Sequence, residues 1–221
     1  MSTHTQSTFT NSTPTFCPRE RRVYERVLKR TLDLVGGSVL LCLVSPLLLV
    51  VAFLIWTTDG LPIFYMRRVL GADGEFDAYK FRSMRRDADA ILEASPELRE
   101  AFARNFKLQS DPRVTPVGAW LRKYSLDELP QLLNVLKGQM SLVGPRMITT
   151  QELSKYGTYQ DLLMTVQPGL TGYWQTRGRQ DVSYQQRVQM DVYYICHWTL
   201  GLDVSILLNT PWTVIKGKGA Y

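Results

Sequence analysis

Apolar and polar residues are unevenly spread along the chain. Residues 1–18 hold Ser, Thr, Asn and Pro but no Lys, Arg, Asp or Glu, a pattern that predicts a disordered leader rather than a signal peptide. From Arg19 to Arg30 the chain turns basic, with Arg19, Arg21, Arg22, Arg26, Lys29 and Arg30 at helical spacings, and it runs directly into the strongest apolar segment, Leu34 to Trp56. Roughly 20 apolar residues cover a bilayer core of about 30 Å, so this segment is long enough to span one. Ser45-Pro46 near its middle predicts a bend, because proline lacks a backbone donor and its ring clashes with the preceding turn. Cations crowd both flanks, with Lys29 and Arg30 before the segment and Arg67, Arg68, Lys80, Arg82, Arg85 and Arg86 after it. Lys and Arg favour the cytoplasmic side, so this distribution fits a re-entrant hairpin that enters and leaves by one face. A spanning helix with a proline kink satisfies the same hydropathy.

Beyond the apolar segment the elements are short. Pro62 to Tyr65 and Glu75 to Phe81, with Gly71-Ala72-Asp73-Gly74 between them, predict a small β-hairpin. Ser95-Pro96-Glu97 signals a helix running to about Lys107, and Thr115-Pro116 signals another start. Ser125-Leu126-Asp127-Glu128 has capping-box spacing ahead of the apolar run Leu129 to Leu136, which ends at Lys137-Gly138. Near the end, Trp198, Leu202, Ile206, Leu207, Trp212, Val214 and Ile215 are interspersed with Lys216 and Lys218. That pattern suits either a helix lying among lipid headgroups or a core helix closing the domain. The whole reads as α+β and mostly helical.

Composition narrows the class. Hydrophobic residues make up 45% and charged residues 21%, which excludes a wholly disordered chain and a multi-span membrane protein. With 221 residues one domain is expected. The net charge of +6 points to an anionic partner, whether nucleic acid, phosphorylated substrate or acidic lipid. Cys17, Cys42 and Cys196 lie far apart with only His4 and His197 beside them, so no zinc spacing is present.

Candidate chemistry centres on Asp127-Glu128. A carboxylate in the first turn of a helix is held as the anion by the dipole and free N–H groups, ready to act as nucleophile or metal ligand. Simple helix capping explains the same two residues. Lys80, Arg82, Arg122, Arg146, Arg177 and Arg179 could bind phosphates, and the turns Gly144-Pro145-Arg146 and Pro168 to Gly172 could position such groups. Asp and Glu without His or Cys match a hard cation such as Mg²⁺. Asp181, Arg187 and Asp191 are further polar candidates, although Arg187 and Asp191 have the spacing of a helix-surface ion pair.

These residues resemble the bacterial sugar transferase family, the monotopic phosphoglycosyl transferases, from about Lys29 to Gly219-Ala220-Tyr221. The matching blocks are Lys29-Arg30-x-x-Asp33, Ser45-Pro46, Lys80-Phe81-Arg82-Ser83-Met84, Ser125 to Leu132, Met140 to Arg146, Pro168 to Gly172 and Gly178-Arg179. Met147 stands where the family often has a second proline after Pro145-Arg146. The resemblance implies a membrane helix bent at Ser45-Pro46 over residues 19–60 and a cytoplasmic catalytic domain over 61–221, with surface-lying amphipathic helices, at the inner face of a bacterial inner membrane. It implies that Asp127 attacks the sugar-bearing phosphate of a UDP-sugar, releasing UMP, and that undecaprenyl phosphate then takes the phosphosugar. Glu128 would hold Mg²⁺ with Asp127, or would position and deprotonate the acceptor. Arg122 and Arg146, followed by Lys80 and Arg82, would bind phosphates. Phe106-Lys107-Leu108, Asp111-Pro112-Arg113 and the C-terminal ending resemble the exopolysaccharide and O-antigen initiating branch, which favours galactose or glucose.

Membrane lipids are an expected partner, and a homodimer is compatible with the sequence. Since nothing before Arg19 could supply the multi-span part of larger relatives, the chain is expected to be the catalytic portion alone. Two other classes compete. A non-catalytic membrane-anchored assembly factor leaves the Asp127-Glu128 block and its arginines without a purpose. A basic nucleic-acid-binding protein, suggested by Tyr173, Trp174 and Arg177, leaves the apolar segment without one, so no nucleic acid is expected.

Overall fold

A computed structural model describes residues 22–105, 108, 111–177 and 182–215. The leader, the helix end at Lys107, Gly178-Arg179, Asp181, Lys216, Lys218 and the ending Gly219-Ala220-Tyr221 lie outside the described residues. The elements run in the order α1 (Val23–Asp59), β1 (Phe64–Gly71), β2 (Gly74–Phe81), α2 (Ala88–Ala94), α3 (Pro96–Asn105), α4 (Pro116–Lys123) and a 3₁₀ turn, Leu126–Gln131. They continue with α5 (Leu132–Lys137), β3 (Ser141–Val143), α6 (Thr150–Leu153), a 3₁₀ turn at Ser154–Tyr159, α7 (Gln160–Leu163), β4 (Gly169–Thr171), α8 (Tyr173–Arg177), α9 (Tyr184–Cys196) and α10 (Leu200–Ile215). The mostly helical α+β class is as expected, and the hairpin forms with Phe64 opposite Phe81 and Gly71 opposite Gly74.

Helix α1 has 37 residues and continues through Ser45-Pro46 without a break in its secondary structure. Proline removes the donor that would have served the Cys42 carbonyl, and the Ser45 hydroxyl donates to that carbonyl instead, at 2.9 Å. The helix is long and apolar enough to cross a membrane, and only 11% of its most apolar window is buried. Val39, Leu43, Leu49, Val50 and Phe53 face outward.

Both halves of α1 pack on the same body. In the first half Lys29, which reads from sequence as a flanking charge, is buried. Its ammonium sits 2.7 Å from Asp203 of α10 and donates to the Val143 carbonyl at 2.9 Å. Asp33 accepts from the Ser141 hydroxyl and the Leu142 N–H, while Asp203 also accepts from Tyr194 and Trp198. Arg30 donates to the Val135 and Leu136 carbonyls at the end of α5. In the second half Val51 and Ile55 pack with Phe81 and Leu121. Arg82 closes this end by donating to the Asp59 and Gly60 carbonyls, each at 2.7 Å.

Two devices fix the strands around the future site. Buried Asn134 accepts from the Tyr79 N–H and donates to the Asp77 carbonyl, so one side chain stands in for a neighbouring strand and ties β2 to α5. The turns Gly144-Pro145-Arg146 and Pro168 to Gly172 interlock through β3 and β4, a parallel pair, with Gly169 N–H donating to the Pro145 carbonyl and Gly144 N–H to the Thr171 carbonyl. A Cβ on Gly169 would collide with the Gly144 backbone, which is why two glycines meet there.

Helix α10 is buried along one side and exposed along the other. Asp203 and Ile206 are buried against the domain, whereas Val204, Leu208, Trp212 and Ile215 form an open apolar face. Lys29→Met leaves Asp203 buried without its counter-charge, and a loss of about 3–5 kcal/mol is expected. Thermal unfolding in lipid nanodiscs measures it, and an unchanged Tm would show that the pair does not hold α1.

Candidate active site

The strand order and the short 3₁₀ turn bring four of the expected residues to one place. Ser125 ends α4 in the left-handed region, at φ 54°, and turns the chain sharply into Leu126–Gln131. Pro130 has no N–H to give the Leu126 carbonyl, so an α-helical bond cannot close there and the segment stays 3₁₀ until α5 begins at Leu132. The expected capping box does not form, and the Ser125 side chain makes no cap hydrogen bond. Glu128 is drawn instead to two cations, because charge-assisted bonds outweigh a cap to a backbone N–H.

Lys80, near the end of β2, places its ammonium 2.6 Å from Glu128 Oε1. Arg146, held by the interlocked turns, donates to the same oxygen at 3.2 Å. Asp127 is buried, with Lys80 at 3.9 Å from its Oδ2 and no hydrogen bond to its carboxylate among the described residues. Arg122, in the last turn of α4, lies within electrostatic reach of both carboxylates and is oriented by its Nε donating to the Ser83 hydroxyl at 2.9 Å.

The two neighbouring carboxyls are therefore tuned in opposite directions. Burial alone would raise Glu128, but Lys80 and Arg146 hold it far below the usual carboxylate range. Burial pushes Asp127 above its ordinary value and the adjacent Glu128 charge adds to this, with Lys80, Arg122 and Arg146 opposing. Glu128 is thus a fixed anion with both cations held on its Oε1. Asp127 is a sheltered carboxyl whose lone pairs are available.

Among the described residues no group of three or more His, Cys, Asp and Glu side chains is placed to hold a metal. Asp127 and Glu128 supply two hard oxygen ligands, which fits Mg²⁺ only when substrate phosphates and water complete its shell.

The other expected residues are placed elsewhere. Arg82 serves the end of α1, and Ser45 and Pro46 lie in the middle of the apolar helix. Arg177 lies over the Tyr173 ring. The surface ion pair expected between Arg187 and Asp191 does not form, because Asp191 is buried and accepts from the Tyr156 hydroxyl at 2.8 Å. Sequence reasoning did not single out Ser83 or Asn134. Ser83 lies within a matching block, which was its one available signal; Asn134 carries no charge and acts on a distant strand backbone.

The chain is similar to several known proteins. The undecaprenyl-phosphate galactose phosphotransferase of Salmonella typhimurium is 45% identical over 201 residues, covering 89% of this chain and 42% of that protein. The exopolysaccharide production protein ExoY of Rhizobium meliloti is 43% identical over 218 residues, covering 95% of this chain and 96% of ExoY. The UDP-glucose:undecaprenyl-phosphate glucose-1-phosphate transferase of Escherichia coli is 36% identical over 205 residues, covering 89% of this chain and 42% of that protein. The chain thus spans less than half the length of several curated relatives and nearly all of ExoY. Residues 24–217 match the family model described as bacterial sugar transferase, and the chain belongs to that family.

Proposed function

We propose that the chain transfers a hexose 1-phosphate, galactose or glucose, from a UDP-sugar to undecaprenyl phosphate at the cytoplasmic face of a bacterial inner membrane. One observation carries the reading: of two adjacent carboxylates, the partly buried Glu128 is pinned by Lys80 and Arg146, while the buried Asp127 has no hydrogen bond among the described residues. A nucleophile needs free lone pairs, and its cationic surroundings must take up charge that moves between phosphate oxygens.

In the first step an Asp127 oxygen bonds to the sugar-bearing phosphorus, the bond from that phosphorus to the bridging oxygen breaks, and UMP leaves with the electron pair. In the second step an oxygen of the lipid phosphate attacks the same phosphorus and Asp127 departs as carboxylate. Lys80, Arg122 and Arg146 face the oxygens that carry the shifting charge. Mg²⁺, held by Asp127 and Glu128 together with the donor's phosphates, would neutralise the diphosphate. The names of the relatives support the donor, the carrier and the choice between galactose and glucose.

A re-entrant course for α1 is part of the proposal. Packing of both Lys29 and Ile55 against one body supports it, since a perpendicular spanning helix would carry one end away from a domain on a single side. The open faces of α1 and α10 would then rest in lipid and put Asp127 near the headgroups, where a lipid phosphate and a water-borne nucleotide can meet.

Three outcomes are expected. Incubation with UDP-galactose or UDP-glucose, without acceptor, should leave hexose phosphate on Asp127 by peptide mass spectrometry; Asp127→Asn should remain folded yet release no UMP, and retained turnover would remove Asp127 as nucleophile. UMP release should fall as pH drops and Asp127 takes up a proton, with the midpoint above the ordinary aspartate value near 3.8 because its folded pKa is raised; an acid limb at or below that value contradicts this. In a Cys-depleted chain, single cysteines before Leu34 and after Trp56 should be labelled from one side of the membrane, and labelling from opposite sides would restore a spanning helix.

A further inference from the structure

A second polar cluster adjoins Arg146 and takes no part in the chemistry described above. Tyr184, Arg187 and Asp191 share one face of α9, three and four residues apart. The Arg187 guanidinium lies over the Trp174 ring of α8 at 4.7 Å, and the Tyr156 and Tyr184 rings meet edge to face at 6.4 Å. The Arg146 backbone N–H approaches the Asp191 carboxylate outside good hydrogen-bond geometry, and the Arg146 guanidinium acts electrostatically on both Asp191 and Arg187.

Seven buried side-chain nitrogen and oxygen atoms lack a hydrogen-bond partner among the described residues, and four of them fall in this cluster: Trp174 Nε1, Tyr184 Oη, Arg187 Nε and Asp191 Oδ1. Trp174 is 6% exposed and Asp191 1%. Leaving such atoms unpaired is costly, so their concentration in one place calls for a reason beyond packing. Two are N–H donors, one is a hydroxyl and one is a carboxylate oxygen, and they do not satisfy one another. Sugar hydroxyls both donate and accept, and the carbon faces of a sugar ring suit aromatic walls such as Trp174 and Tyr184.

Arg146 also borders a cleft of different character, lined by Leu70, Pro145, Ile148, Leu163 and Met164. That shallow cleft is apolar and offers little to a polyol. The half-exposed Arg187 covers Trp174, so entry of a sugar ring requires its guanidinium to swing aside.

We propose that Trp174, Tyr184, Arg187 and Asp191 form the subsite that binds the hydroxyls of the donor's hexose ring. This rests on the transferase reading given under Proposed function. Tyr184→Phe deletes one unpaired polar group and leaves its ring in place; Trp174→Phe deletes another but also gives up part of the buried indole, so the inhibition by UDP is needed to separate lost contact from lost packing. The test uses the full chain in lipid nanodiscs with polyprenyl phosphate and Mg²⁺, measuring UMP release from UDP-galactose and UDP-glucose, with UDP as an inhibitor that lacks the sugar. Each variant should raise the KM for the preferred UDP-hexose about tenfold and leave the UDP inhibition constant unchanged. A parallel rise in both constants would place the cluster at the nucleotide or in the fold alone and overturn the subsite. No change in either would show the four atoms to be structural, and would overturn it equally. No UMP release by the unaltered chain from any UDP-hexose would instead remove the transferase reading, and the subsite with it.

Discussion

Two cations meet on a single oxygen of Glu128, and the character of the site follows from that. Lys80 comes from a hairpin strand and Arg146 from a pair of interlocked turns, so the carboxylate between them joins two separately built parts of the domain. Withdrawing one charge from water is expensive, and a partly buried, compensated group of three with good geometry is tolerable. Once Glu128 has absorbed both partners, Asp127 keeps the benefit of a positive surrounding without surrendering its lone pairs. Two identical functional groups in adjacent positions thereby acquire different duties from their environment alone.

The same logic governs the junction between apolar helix and domain. Lys29, Asp33 and Asp203 would each be costly to bury singly, and they are buried as a network completed by Ser141, Tyr194 and Trp198. Its members come from α1, α9, α10 and the region around β3, which makes register between the apolar helix and the domain specific. Arg82 does comparable work at the opposite end, which is why a residue two positions from Lys80 in the same basic block faces backbone carbonyls rather than the site.

What could be read from sequence was what local chemistry determines. The apolar segment, the hairpin turn and the start of α4 at Thr115-Pro116 were legible because hydropathy, glycine placement and a capping hydroxyl act over a few residues. Asp127-Glu128 was legible as a pair at the start of a helical turn. The capping box was misread because the partners that capture Glu128 lie 48 and 18 residues away, beyond any local rule. Lys29 looked like a flanking charge for the same reason, since Asp203 approaches it only through tertiary folding. The role of Asn134 was invisible because it recognises a backbone, and a backbone has no sequence signature.

The apolar helix is not a tether that happens to carry an enzyme. Its inward side chains cover Phe81 and Leu121 at one end, and Gly36 and Gly37 bring its backbone against Leu142 and Val135 at the other. A fragment begun after Gly60 would uncover that surface and strand a buried carboxylate, so the route to a water-soluble catalytic piece is closed by the architecture itself. Leu43 and Phe53 lie on the uncovered side of the helix, so a detergent that shields them need not prise it from the residues beneath.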